Sequence, residues 1–166
     1  METSDYIDVD SRTRELGLDL PGGVVVLPYN LDDAEKSSDL IYPGSSGTVL
    51  KLFRAESEVD VVGLTESPLP ERRDHDFTLI FPVLFFSAAY LSENPHAISV
   101  TLGVISNYAT KMLQGVPRGG NVKISLAIES KETKTTKTQK IDYEGPPDKL
   151  EDLIKFAESI DGKNRT

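Results

Sequence analysis

Along this chain the apolar residues change rhythm several times, and each rhythm predicts a different element. Val24-Val25-Val26-Leu27 is a compact run, three of its residues β-branched, set between Gly22-Gly23 and Pro28. It predicts a short strand buried on both faces. Residues 28–47 hold prolines, glycines and a Ser37-Ser38 pair, and read as loop. Val49, Leu52 and Phe53 then fall at helical spacing, with Ser46 or Thr48 as a cap, and predict a helix to about Ala55. Val59, Val61 and Val62 follow as a second strand. Strand, helix and strand in this order form a small βαβ-like unit, right-handed if the strands run parallel.

The middle of the chain is its oddest part. Phe77 to Ser92 contains no charged residue, and Glu93 is the only one between Phe77 and Thr110. Pro82 suits the first turn of a helix, where its missing N–H is not needed, so a helix is expected from 82 to 92. A second helix is expected over 96–114, with Gly115 as its stop. Ile98, Leu102, Ile105, Ala109 and Met112 make its apolar face.

The final third alternates strictly. Val122, Ile124, Leu126 and Ile128 interleave with Lys123, Ser125, Ala127 and Glu129, the pattern of a half-buried strand. A polar tip at 131–136 turns the chain into a return strand carrying Ile141 and Tyr143. Gly145-Pro146-Pro147-Asp148 opens a last helix, whose buried stripe is Leu150, Leu153, Ile154, Ala157 and Ile160. The expected fold is therefore α+β, a small sheet of about four strands, including the C-terminal hairpin, packed with about four helices.

At 166 residues, 38% hydrophobic and 27% charged, the chain has the size and composition of one globular domain. Residues 1–12 are polar and acidic and read as a mobile arm; 13–161 form the domain, and 162–166 a tail. The charged, proline-bearing connector 67–76 is the best internal boundary. There is no cysteine, which removes disulfides, thiolate metal sites and cysteine nucleophiles together. The N-terminus lacks the basic and apolar regions of a signal peptide, so a cytoplasmic location is expected. The net charge of −9 repels phosphate backbones, so no nucleic-acid partner is expected.

Candidate chemistry is sparse. Asp74-His75-Asp76 is the one His–carboxylate cluster, and it offers a metal ligand or general base. Consecutive residues on a connector do not converge on a point, so neither metal nor cofactor is expected. Five lysines, at 123, 131, 134, 137 and 140, gather on the hairpin, where they read as a solvated face that protects an edge from aggregation. Ser45-Ser46-Gly47 precedes a helix and offers amide groups to an anion, but an ordinary cap explains it equally. The apolar segment 77–110 raises a peripheral membrane anchor as an alternative, although its first run is short of a span and its second carries Ser99, Thr101, Ser106, Asn107 and Thr110.

Ile105-Ser106-Asn107-Tyr108 on a helix, a lysine-bearing hairpin, Tyr143-Glu144-Gly145-Pro146 and a final amphipathic helix form a pattern over about residues 80–160. It resembles small uncharacterised prokaryotic proteins, some similar to effector-associated components of conflict and defence systems. The resemblance implies an accessory or assembly role and brings no catalytic residues with it. The expected function is a non-catalytic interaction subunit that binds a protein partner or itself, through an apolar face of the helix pair or through the hairpin edge. Phe81, Phe85, Phe86, Tyr90, Ile98, Leu102, Ile105 and Tyr108 are its candidate contact residues. The competing reading is a ligand-binding or hydrolytic domain using Asp74, His75 and Asp76.

Overall fold

The computed structural model describes residues 1–44, 46–56, 59–64, 71–72, 78–115, 120–132 and 134–163. In chain order the elements are β1 (Glu2–Asp5), α1 (Val9–Glu15), β2 (Val24–Leu27), β3 (Tyr42–Pro43), α2 (Ser46–Glu56), β4 (Val61–Gly63) and β5 (Glu71–Arg72). They continue with β6 (Thr78–Phe86), α3 (Ala88–Glu93), α4 (Ala97–Met112), β7 (Asn121–Glu132), β8 (Thr135–Gly145) and α5 (Leu150–Lys163). Among the described residues six strands form one mixed sheet in the order β1-β8-β7-β6-β2-β4, and β3 pairs with β5 separately. The class is the expected mixture of helix and sheet, but the sheet is larger than the four strands predicted.

The run 24–27 is a strand, and all four of its side chains are buried, as its unbroken apolar pattern requires. It pairs in parallel with β4 and antiparallel with β6, so α2 lies in the crossover between β2 and β4. The C-terminal hairpin also forms where the alternation placed it, with Leu126 opposite Ile141 and Ile124 opposite Tyr143. Its strands run on to Glu132 and start again at Thr135, so the turn is tighter than the polar tip suggested. The helix expected over 96–114 is α4, and Gly115 beyond it takes the left-handed φ of 82° that ends it.

Pro82 misleads the reading of the middle segment. It does not open a helix; it lies inside β6, and residues 78–86 are strand. Aromatic and branched side chains at Ile80, Phe81, Val83, Phe85 and Phe86 favour a strand buried on both sides over a helix. Proline cannot donate to a sheet ladder, and the ladder yields around it. The register of β6 against β7 slips between Ile80 and Val83, which face Lys123 and Ser125 and so leave two residues of β6 opposite Ile124 alone. The helix starts later, at Ala88, where the Ser87 hydroxyl accepts the Tyr90 N–H at 3.1 Å. Glu129 of β7 also receives the Ala88 N–H, at 3.1 Å.

Residues 1–12, expected as an arm, contain β1 and the start of α1. The strand gives no apolar signal because its four residues are exposed, and backbone pairing to residues 139–142 of β8 holds it. Helix α1 is capped by Asp8, whose side chain accepts the Ser11 N–H at 3.2 Å, and it buries Val9 and Thr13 one turn apart. Of the connector 67–76, only Glu71 and Arg72 are described, as β5.

Burial changes across the sheet. Val24 to Leu27 and Val83 to Phe86 are buried whichever way they point. On β7 and β8 one side, formed by Val122, Ile124, Leu126, Ile128, Ile141 and Tyr143, is buried beneath the α4–α5 layer. The opposite side carries Lys123, Ser125, Lys140, Asp142 and Glu144, which are exposed or half-buried. The sheet is covered twice at its centre and once at this edge.

Two substitutions test this packing. Gly23 has a φ of 92°, and a Cβ there would come within 2.7 Å of the Asp60 carbonyl oxygen, which accepts the Val24 N–H at 2.8 Å. Gly23→Ala is expected to cost about 2–3 kcal/mol in urea unfolding through backbone strain and a displaced β4. Thr101 is fully buried in α4, and its hydroxyl has no hydrogen-bond partner among the described residues. Thr101→Val keeps the shape and removes the desolvated hydroxyl, so the variant should match the wild type or gain up to about 1 kcal/mol.

Candidate functional site

The side chains expected to form a contact surface are divided by the fold. Phe81, Phe85, Phe86, Ile98, Leu102 and Ile105 are buried in the core of the chain itself. They are taken up by intrachain packing because 78–86 is a central strand and the buried face of α4 joins the same core cluster. Tyr90 and Tyr108 are half-buried. Tyr108 meets Phe81 edge to face at 6.3 Å between ring centroids. The Tyr90 hydroxyl is pushed above its ordinary pKa by burial, opposed by a hydrogen bond to the Asp60 backbone. Asp74, His75 and Asp76 lie outside the described residues. Among the described residues no group of three or more His, Asp or Glu side chains could hold a metal ion, and no helix is long and apolar enough to cross a membrane.

The outer face of α4 is the first surface with a distinct chemistry. Ser99, Val100, Gly103, Val104, Asn107 and Thr110 lie on it, exposed or half-buried, and from Ala97 to Thr110 the helix carries no charge. Val100 is 40% exposed and Met112, at the helix end, 52%. A helix facing only water ordinarily carries charges on its outer face. Here small and uncharged residues stand there instead, in a chain that is 27% charged.

The hairpin lysines do not converge into one grip. Strand alternation puts Lys137 on the opposite side of β8 from Lys140, and it lies 3.7 Å from Asp5 of β1. Lys140 sits 3.7 Å from Asp142 and lies over the Tyr6 ring, 5.6 Å from its centroid. Such a cation over an aromatic face is attracted by the ring quadrupole. At the start of α2, Ser46 is fully buried and its hydroxyl has no partner among the described residues.

A groove of about 560 Å³ opens on the charged side of β7 and β8, walled by Tyr29 and the β6 bulge and floored by Lys123, Ser125, Lys140, Asp142 and Glu144. At its centre the Ser125 hydroxyl donates a hydrogen bond to Asp142 Oδ1, the same oxygen that Lys140 approaches. The segment leading to the groove is clasped twice. Arg12 donates from Nε to the Leu31 carbonyl at 2.7 Å and from Nη2 to the Ala34 carbonyl. Asn30 donates to the Asp39 carbonyl and accepts the Ile41 N–H, both at 2.8 Å. Sequence reasoning missed the groove because its charged residues come from neighbouring strands, and only the register of β7 against β8 sets them side by side. The alternation of polar positions on both strands was the signal available.

Burial raises the Tyr6 hydroxyl to a pKa of about 12, and the nearby carboxylates of Asp32 and Asp142 add to the effect. Below about pH 10 the hydroxyl keeps its proton in folded and unfolded chains alike; above it the unfolded chain ionises first, so stability falls between pH 10 and 12. Tyr6→Phe is expected to flatten part of that loss, measured as the difference in urea midpoint between about pH 9 and about pH 11. Tyr90 and Tyr143, also raised by burial, retain the remainder. No protein-family model, no curated protein and no solved structure matches the chain.

Proposed function

We propose that this protein is a non-catalytic interaction subunit that associates through the outer face of α4, with a second copy of itself as the occupant. The observation that carries the reading is the uncharged outer face of α4 from Ala97 to Thr110, with Val100 40% exposed. Electrostatics favours this face for self-association. Two chains of net charge −9 repel one another, and the repulsion is least where the approaching surfaces carry no charge. Gly103 and Ser99 add little bulk, which favours close approach of two helices. An accessory role in an intracellular prokaryotic system is what the expected likeness of residues 80–160 to small prokaryotic proteins, some similar to defence-system components, would imply. Catalysis by Asp74, His75 and Asp76 has no comparable support.

Light scattering after size-exclusion chromatography tests this directly. The wild type is expected to run as a dimer at high micromolar concentration. Val100→Glu places a like charge on each copy and should weaken the dimer at least about tenfold while leaving the melting temperature of the monomer unchanged. A wild-type monomer at that concentration, or a dimer indifferent to Val100→Glu and Thr110→Glu alike, would remove the reading.

A further inference from the structure

The groove on the sheet lies on the side of β7 and β8 turned away from α5, and its floor carries charges of both signs. Strand register fixes their positions. Lys123 stands directly across from Glu144, Ser125 across from Asp142, and Asp142 across from Glu2. On such a face, diagonal neighbours like Lys123 and Asp142 are roughly 7–8 Å apart. Among the described residues Asp142 is met by Ser125 and Lys140, both at Oδ1, and its side chain is 43% exposed. Lys123 is exposed and makes no ion pair among the described residues, although Glu144 faces it. Val83 and the Tyr29 ring form an apolar wall beside this floor.

We propose that this groove binds a small zwitterion of the amino-acid or short-peptide class, with its ammonium group on Asp142, its carboxylate on Lys123 and an apolar side chain against Tyr29 and Val83. A simple anion entering here meets Glu2, Asp142 and Glu144, and a simple cation meets Lys123 and Lys140. A ligand with both charges a few ångströms apart places each beside its opposite. Its polar ends match one carboxylate oxygen already oriented by Ser125 and one lysine without an internal partner. The volume of about 560 Å³ lies within the range of small-ligand sites and accommodates a free amino acid or a dipeptide. Ser125 acts as a positioning residue, since it touches the ligand only through Asp142.

Amide shifts of the full-length chain, followed by NMR during titration, test the assignment with four probes: leucine, leucyl-leucine, N-acetyl-leucine and leucinamide. At least one of the two zwitterions should give saturable shifts at Lys123, Ser125 and Asp142, and the two singly charged probes should bind about tenfold more weakly. Leucine against leucyl-leucine separates a free amino acid from a peptide. Lys123→Ala should weaken the zwitterion about tenfold and leave leucinamide, which has no carboxylate, unchanged. Asp142→Asn should do the converse, sparing N-acetyl-leucine. Lys123 is exposed, so its variant keeps the test intact should loss of the Ser125–Asp142 bond perturb folding. Absence of saturable shifts with both zwitterions, or equal binding of blocked and unblocked probes, would overturn the proposal.

Discussion

Strand β6 is the member on which the other elements hang. It is paired to β7 along its length and to β2 through its second half, and α3 and α4 leave its end to return as β7. A proline in such a strand forces a choice, because the ladder loses a donor and must break somewhere. The break falls between Ile80 and Val83, and β2 also ends there, with Leu27 facing Val83 as its last pair. Pro82 therefore costs the sheet pairing only where β2 has already stopped. From Val83 to Phe86 the strand is flanked on both edges and buried on both faces.

Two-sided burial at the centre determines where polar chemistry can stand. A charge on β2 or on the second half of β6 would be buried without water or a partner, and these segments carry none. Farther out, the α4–α5 layer covers one side only, and β7, β8 and β1 place lysines and carboxylates on the other. The groove is the boundary between these regimes, with Val83 and Tyr29 on its apolar flank and the Ser125–Asp142–Lys140 set on its floor. Tyr6 connects it to the N-terminal segment, since its ring lies under Lys140 and its hydroxyl feels Asp32 and Asp142.

The two proposed surfaces differ in kind because their supports differ. The outer face of α4 is defined by what a solvent-facing helix lacks, and the proposal of a second chain there rests on neutrality, which minimises repulsion between acidic copies. The groove is defined by what it holds, charges of both signs on a pleated floor. Lysine side chains are long and mobile, but their backbone anchors are fixed by ladder hydrogen bonds, so the spacing of the charges is set by the sheet.

Sequence alone determined the elements whose local signals agreed with their surroundings. The Val24–Leu27 strand, the α4 helix with its Gly115 stop, the 122–143 hairpin and the last helix all follow from period, caps and breakers. It did not determine β1, whose exposed residues have no apolar rhythm and whose structure comes from pairing with a strand more than a hundred residues away. It also misassigned residues 82–86, since a charge-free run fits a buried strand or a buried helix equally well and Pro82 tipped the choice the wrong way. Phe85 and Phe86, expected as contact residues of that helix, became core for the same reason. Only the tertiary structure brought Lys123, Lys140 and Asp142 together, because proximity across a sheet depends on register, and register is fixed by which faces are buried rather than by any short stretch of chain.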